Sequence, residues 1–242
     1  MRIAVVSDVH GNLNALDAVL AEVEQEGPDE LWCLGDLVGY GPRPTECCRR
    51  IRERASLSLC GNHDLAVTGR LDLAEFAGDA AIAARWTVET IDAGERAWLS
   101  GLEPQAQREG VELFHASPRD PVWEYVLSNH VARLGLEAAT APLVLVGHSH
   151  IPLAVRLDGD GLTVGLASEG SAPTLSTGRW LLNPGSVGQP RDGDRRAAWL
   201  LVDTTAGTAS FRRVEYDIAR TQAEIAEAGL PPGLASRLAL GQ

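Results

Sequence analysis

Apolar residues fall along this chain in two periods, one of short buried runs and one of helical stripes. Ile3-Ala4-Val5-Val6 is a run of β-branched and small residues that reads as a buried strand. Leu13, Leu16, Val19, Leu20 and Val23 then repeat at helical spacing, and Gly27-Pro28 ends that helix. Glu30 to Leu34 predicts a second strand, so strand, helix and strand form a parallel unit. Gly39-Tyr40-Gly41-Pro42-Arg43-Pro44 is a loop rich in turn residues; Thr45 to Arg54 predicts a short helix and Ala55 to Cys60 a third strand.

From Leu65 to Leu102 the pattern becomes mostly helical, with helices predicted over Ala77 to Ile91 and Glu95 to Leu102. No histidine occurs there, and the stretch is expected to be a helical insertion that caps or flanks a site. Pro104 to Ala116 predicts a hairpin whose second strand, Val111 to Phe114, delivers His115. Val122 to Leu136 predicts a helix, and Leu143 to Val146 a buried strand ending at Gly147-His148-Ser149-His150. Beyond Ile151 come short alternating strands: the hairpin Leu153–Leu157 and Leu162–Leu166, then Trp180–Leu182, Ala197–Asp203 and Thr208–Val214. Two helices, broken at Gly229-Leu230-Pro231-Pro232-Gly233, are expected over about 218–240. Without repeats, low-complexity tracts or linkers, residues 1–242 are expected to form one α/β domain.

Composition narrows the function classes. With 45% hydrophobic and 22% charged residues the chain reads as globular, and no apolar run approaches the roughly 20 residues of a membrane span. A strand beginning directly after Met1 leaves no room for a signal peptide, so a cytoplasmic location is expected. The net charge of −12 opposes tight non-specific binding to a nucleic-acid backbone, though bound cations would still admit a small phosphorylated substrate. All 21 basic residues are arginine, which excludes a lysine Schiff base and a GxxxxGK[ST] phosphate loop. Cys33, Cys47, Cys48 and Cys60 have no C-x-x-C spacing; Cys33 and Cys60 read as core residues, and Cys47 and Cys48 as pointing to different faces of a helix.

Chemistry concentrates at the ends of the apolar runs. Five of the six histidines lie there: Ser7-Asp8-Val9-His10, Gly61-Asn62-His63-Asp64, Phe114-His115-Ala116 and Gly147-His148-Ser149-His150. Leu34-Gly35-Asp36 closes another run. Strand ends are where α/β proteins place their sites. Asp8 and His10 are two apart, which puts both side chains on one side of an extended backbone. The sixth histidine, His130, has no ligand-type neighbour and reads as a packing or surface residue.

Asp8, His10, Asp36, Asn62, His115, His148 and His150 supply seven nitrogen and oxygen ligands, too many for one tetrahedral zinc. They suit two divalent ions that share a carboxylate, the usual device for in-line attack on a phosphate ester. Manganese, iron, zinc, nickel and cobalt all accept such a set. Singly, each residue has a plainer use: Asp8 could cap a helix and Asn62 could turn the chain.

The motif order Asp-x-His, Gly-Asp, Gly-Asn-His-Asp, His, Gly-His-x-His resembles that of the calcineurin-like metallophosphoesterases. The likeness is closest to their compact bacterial phosphodiesterase branch, where Gly39-Tyr40-Gly41-Pro42 and Asn183-Pro184-Gly185-Ser186 also have counterparts. The resemblance implies a four-layer α/β/β/α sandwich of two face-to-face sheets with helices outside. It implies that Asp8, His10 and His150 hold one metal, Asn62, His115 and His148 the other, with Asp36 bridging. It implies hydrolysis by a hydroxide held between the metals, with His63 as general acid or transition-state donor. Asp64 would orient His63, whose ring is expected to face away from the metals. Tyr40, Arg43, Arg119 and Arg191 are weaker candidates, with Tyr40 and Arg191 preferred for substrate contact; for the arginines a phosphate contact and a solvated surface position are weighed evenly.

Two other classes fit less well. A non-catalytic scaffold on the same fold would have shed ligands, and none is missing here. A nucleotide-cofactor oxidoreductase needs a G-x-G-x-x-G after the first strand, which is absent. Within the phosphoesterase reading the substrate is expected to be a small diester or phosphoanhydride, with a phosphomonoesterase or protein phosphatase as the alternative.

Overall fold

A computed structural model describes residues 1–175 and 177–242. Its first strand, β1 (Arg2–Val6), shows why the chain folds in layers. Ile3 and Val5 enter one apolar cluster, while Ala4 and Val6 enter another on the opposite face. This is the two-residue period of a strand buried on both sides.

β2 (Glu30–Cys33) and β3 (Leu57–Ser58) pair in parallel beside β1. On the other edge of β1 run β10 (Ala197–Asp203) and β11 (Thr208–Val214), both antiparallel. A second sheet has the order β4 (Gln105–Arg108), β5 (Val111–Phe114), β6 (Leu143–Leu145), β9 (Arg179–Asn183), β7 (Leu153–Asp158) and β8 (Gly161–Leu166).

The two sheets pack face to face. Ile3, Val5, Trp32, Leu200 and Phe211 from the first meet Val111, Leu113, Leu145, Trp180 and Leu182 from the second in one buried cluster. The outer face of the first sheet carries α1 (Leu13–Glu26) and α2 (Pro44–Arg54), through Leu16, Val19, Cys47, Cys48 and Ile51. The outer face of the second carries α6 (Asn129–Ala138) through Ala132 and Leu136. Helices therefore lie outside two sheets, the α/β/β/α order expected.

α1 has clear local causes. The Asn12 side chain accepts a hydrogen bond from the Ala15 N–H at 3.2 Å, and Gly27 ends the helix at φ 59°. Its apolar stripe, Leu16, Val19, Leu20 and Val23, is the buried face. Between the sheets in sequence lie α3 (Asn62–Val67), a 3₁₀ turn at Leu73–Glu75, α4 (Gly78–Thr90) and α5 (Ala93–Ser100). The C-terminal helices are α7 (Ile218–Glu227) and α8 (Pro232–Leu238), packed on Ala83 of α4.

Three local expectations need correction. The helix predicted from Val122 begins only at Asn129. The Asp120 carboxylate accepts from the Val122 and Trp123 N–H groups in a turn, and Ser128 then caps α6 through the Val131 N–H. The strand predicted over Ala55 to Cys60 shrinks to Leu57–Ser58, because the Cys60 N–H turns away to the carbonyl of Glu103. Cys47 and Cys48, expected on different faces of the helix, both enter the same buried cluster, since a broad helix face covers neighbours 100° apart. All four cysteines are buried and free. Among the described residues no helix is long and apolar enough to cross a membrane.

Candidate metal centre

The loops that leave β1 and β2 run side by side past the sheet edge. Asp8, His10 and Gly11 donate their N–H groups to the carbonyls of Gly35, Asp36 and Leu37 at 2.9–3.0 Å. β1 stops at Val6, so Asp8 and His10 are not brought together by an extended pleat. Left-handed backbone does it instead. Asp8, His10, Asp36, Tyr40, His148 and His150 all have φ between 50° and 63°, and Glu109 is the single other non-glycine residue of this kind among those described. Such backbone costs roughly 1–2 kcal/mol per residue and gathers where function demands a geometry.

The seven candidate ligands meet in one buried place, each no more than 4% exposed. Three groups each bring their ligand atoms within 4.8 Å of one another: Asp8–His10–His150, His10–Asp36–His63 and Asp36–His115–His148. Asp36 belongs to two of them. Its Oδ2 lies 3.7 Å from His10 Nε2 and 3.4 Å from His115 Nε2, while its Oδ1 accepts the His63 N–H at 2.9 Å. Asp8 is held in the same manner: Oδ2 accepts the His148 N–H at 3.0 Å, and Oδ1 stands 3.3 Å from His150 Nε2. Each carboxylate is anchored by one oxygen and presents the other.

Backbone carbonyls anchor the rings. Nδ1 of His10 lies 3.0 Å from Val38 O, Nδ1 of His115 2.9 Å from Leu34 O, and Nδ1 of His150 2.6 Å from Gln189 O. A carbonyl at each Nδ1 turns each Nε2 toward the site, the second-sphere pattern of metal-binding histidines. Asp8 Oδ1, Asn62 Oδ1, His115 Nε2 and His148 Nε2 are all buried with no hydrogen-bond partner. Buried polar atoms left unpaired are costly; Asp8, His115 and His148 belong to the groups above, and Asn62 lines the same cleft as Asp36 and His148. Oxygen and imidazole donors disposed in this way fit divalent transition-metal ions.

The surroundings leave no slack. A Cβ on Gly61 would collide with Asp36 Oδ1 and the His115 ring, and one on Gly147 with Ser7 Oγ. The Asn183 amide donates to Gly147 O at 2.7 Å and Ser149 Oγ at 3.0 Å, and Ser186 Oγ donates to Asp8 O at 2.8 Å. The Asn-Pro-Gly-Ser stretch thus pins both histidine loops.

Protonation follows from burial and neighbours. Burial would raise the Asp8 and Asp36 carboxyls, but the His150 ring beside Asp8 and the His115 and His63 rings beside Asp36 outweigh it and hold both well below the usual range. Burial pushes His10 well down, His63 to about 4 and His148 to about 3, so these rings are neutral at pH 7. Burial also opposes charge on His115, but the Asp36 carboxylate prevails and lifts it to about 9.

His63 and Asp64 depart from their expected geometry. Asn62 opens α3, so His63 sits in a helical first turn. Its ring does not turn away from the ligands; it lies 4.9 Å from the His10 ring, edge-on. The Asp64 carboxylate accepts the N–H groups of Gly61, Leu37 and Val38 at 2.9–3.1 Å. It ties the Gly61 turn to the loop after β2 and is committed to backbone, not to the His63 ring.

Beside the ligands opens a cleft of about 150 Å³. Tyr40 and Arg191 line it, with the Arg191 guanidinium 5.8 Å from the centre of the Tyr40 ring. Arg43 pairs with Glu46 and Glu224, and Arg119 with Glu124, so neither serves the cleft. His130 is exposed in the first turn of α6. Phe76, Trp123 and Tyr125 also line the cleft and were not legible from pattern, because they sit in irregular segments with no motif around them.

The chain has close counterparts. A protein of Methanocaldococcus jannaschii with no characterised function is 39% identical over 99% of this chain and 98% of its own length. The crystal structure of a metallophosphoesterase from Sphaerobacter thermophilus, 44% identical, superposes with a TM-score of 0.91 over 100% of this chain and 99% of that one. A symmetrical bis(5'-nucleosyl)-tetraphosphatase of Thioalkalivibrio sulfidiphilus is 32% identical over 66% of this chain and 58% of its own. Residues 1–207 match the description of the calcineurin-like phosphoesterase superfamily domain, and the chain belongs to that superfamily.

Proposed function

We propose that this chain hydrolyses a phosphodiester or phosphoanhydride bond of a small substrate at a pair of divalent cations. The observation that carries the reading is the set of unpartnered buried donor atoms, Asp8 Oδ1, Asn62 Oδ1, His115 Nε2 and His148 Nε2, arranged about Asp36. Asp8, His10 and His150 would hold one cation, Asn62, His115 and His148 the other, with Asp36 shared. Bound cations would supply positive charge that activates water and neutralises charge developing on the phosphoryl oxygens.

The chain's own groups do the rest. The Nδ1 hydrogen bonds of His10, His115 and His150 keep their Nε2 atoms aimed at one place before any ligand arrives. His63 is a neutral ring lining the cleft, and it offers an N–H to a substrate oxygen. Arg191 supplies one cationic contact for the phosphate, held over Tyr40. Among the described residues lining the cleft it is the only arginine. A single arginine suits a monoanionic diester better than a dianionic monoester. A relative named as a bis(5'-nucleosyl)-tetraphosphatase agrees with phosphoanhydride or diester cleavage.

The test compares bis-p-nitrophenyl phosphate with p-nitrophenyl phosphate at matched manganese. A higher kcat/KM for the diester is expected, and a clear monoester preference would overturn the diester assignment.

A further inference from the structure

Four of the chain's twelve Phe, Trp and Tyr residues line the small cleft beside the ligands: Tyr40, Phe76, Trp123 and Tyr125. Tyr40 and Tyr125 have partners in the site, since Tyr40 packs against His10 and Arg191 and Tyr125 stacks on His148 with centroids 3.9 Å apart. Phe76 and Trp123 are different. Their rings step outward from the site: Phe76 lies 4.8 Å from the His63 ring, and Trp123 lies 5.8 Å beyond Phe76 at a tilt of 53°. Neither is a candidate ligand, and both are only half-buried.

Their backbones are fixed. The Phe76 N–H closes the 3₁₀ turn on Leu73 O at 3.2 Å, and the Trp123 N–H is held by the Asp120 carboxylate at 3.1 Å. Two large rings are thus set at the cleft wall by segments that could equally carry polar residues. Part-exposed ring faces fixed next to a phosphoester site offer stacking surface for a planar partner.

We propose that Phe76 and Trp123 form a shelf that binds a planar aromatic group carried by the substrate, either a nucleobase or an aryl ring. The proposal rests on the phosphoesterase reading above and narrows its substrate class. A group joined to a phosphate held at the ligands passes His63 and reaches these rings next. The 53° tilt leaves no parallel slot between them, so the group lies flat on one ring and meets the other at its edge.

Calorimetry on manganese-loaded protein with AMP, phenyl phosphate and ribose 5-phosphate tests this without requiring turnover. All three carry a phosphate monoester, and only the first two carry a planar ring. At least one of these two is expected to bind roughly 10- to 100-fold more tightly than ribose 5-phosphate. Advantage for AMP would identify a nucleobase; advantage for phenyl phosphate alone would identify an aryl ring. Phe76→Leu and Trp123→Leu should remove the advantage and leave ribose 5-phosphate affinity unchanged, which also reports correct folding. Trp123→Tyr, which keeps a ring face, should retain most of it. Equal binding of all three, binding of none, or an advantage that survives both leucine variants would overturn the shelf. Hydrolysis of bis-p-nitrophenyl phosphate decides the phosphoesterase reading independently of those outcomes.

Discussion

Nε2 of His10 and Nε2 of His150 lie 3.0 Å apart in a buried site. Each ring's Nδ1 faces a backbone carbonyl, Val38 O for His10 and Gln189 O for His150. Protonated there, both rings turn lone pairs toward one another, and two lone pairs at that distance repel. A cation between them would convert the repulsion into two bonds. Removing divalent metal should therefore lower stability. At 100 times the dissociation constant, one bound ion contributes about 2.7 kcal/mol, or roughly 5–10 °C in Tm for a chain of this size. Thermal melts of chelator-stripped protein with and without manganese check this, and identical melts would contradict it.

His63 touches the ligand set without sharing its anchoring. Its Nδ1 is buried and unpartnered, and its ring packs against His10, Tyr40 and Phe76. Placed to donate to substrate, it should matter for turnover and not for metal. His63→Ala is expected to lose about 10²–10⁴-fold in kcat with metal content near that of the unaltered protein. Because its ligand atom lies within 4.8 Å of those of His10 and Asp36, metal analysis is the sharper readout. Loss of an ion would make His63 a ligand.

Asp64 is a structural brace. Both its oxygens accept backbone N–H groups, from Leu37, Val38 and Gly61. In Asp64→Asn one acceptor becomes an N–H₂ facing those same donors. The expected cost is about 1–3 kcal/mol, read as a fall in Tm. An unchanged Tm with reduced kcat would instead assign Asp64 to orienting His63.

How far the chain was legible depended on whether a residue's place is set locally. Asp8, His10, Asp36, His115, His148 and His150 follow short apolar runs in sequence, and the structure gathers all of them at one end of the sheets. The two-sheet sandwich was expected from the family resemblance, and β1 and β10, buried on both faces, agree with it. What the pattern missed depends on tertiary hydrogen bonds. Val122 and Val126 have helical spacing, yet the Asp120 turn and the Ser128 cap delay α6 to Asn129. Asp8 and His10 share a direction through left-handed turns that periodicity cannot report. The outward direction expected of His63 fails because Asn62 opens a helix that no local pattern signals. Phe76 and Trp123 are distant in sequence and meet only in the folded cleft.

Two cations sharing Asp36 would show as a count of bound metal. Mass-spectrometric metal analysis of manganese-reconstituted protein should find two ions per chain. Asp36→Asn, which weakens both positions at once, should fall below one. One ion in the unaltered chain, or two still present in Asp36→Asn, would contradict the shared carboxylate.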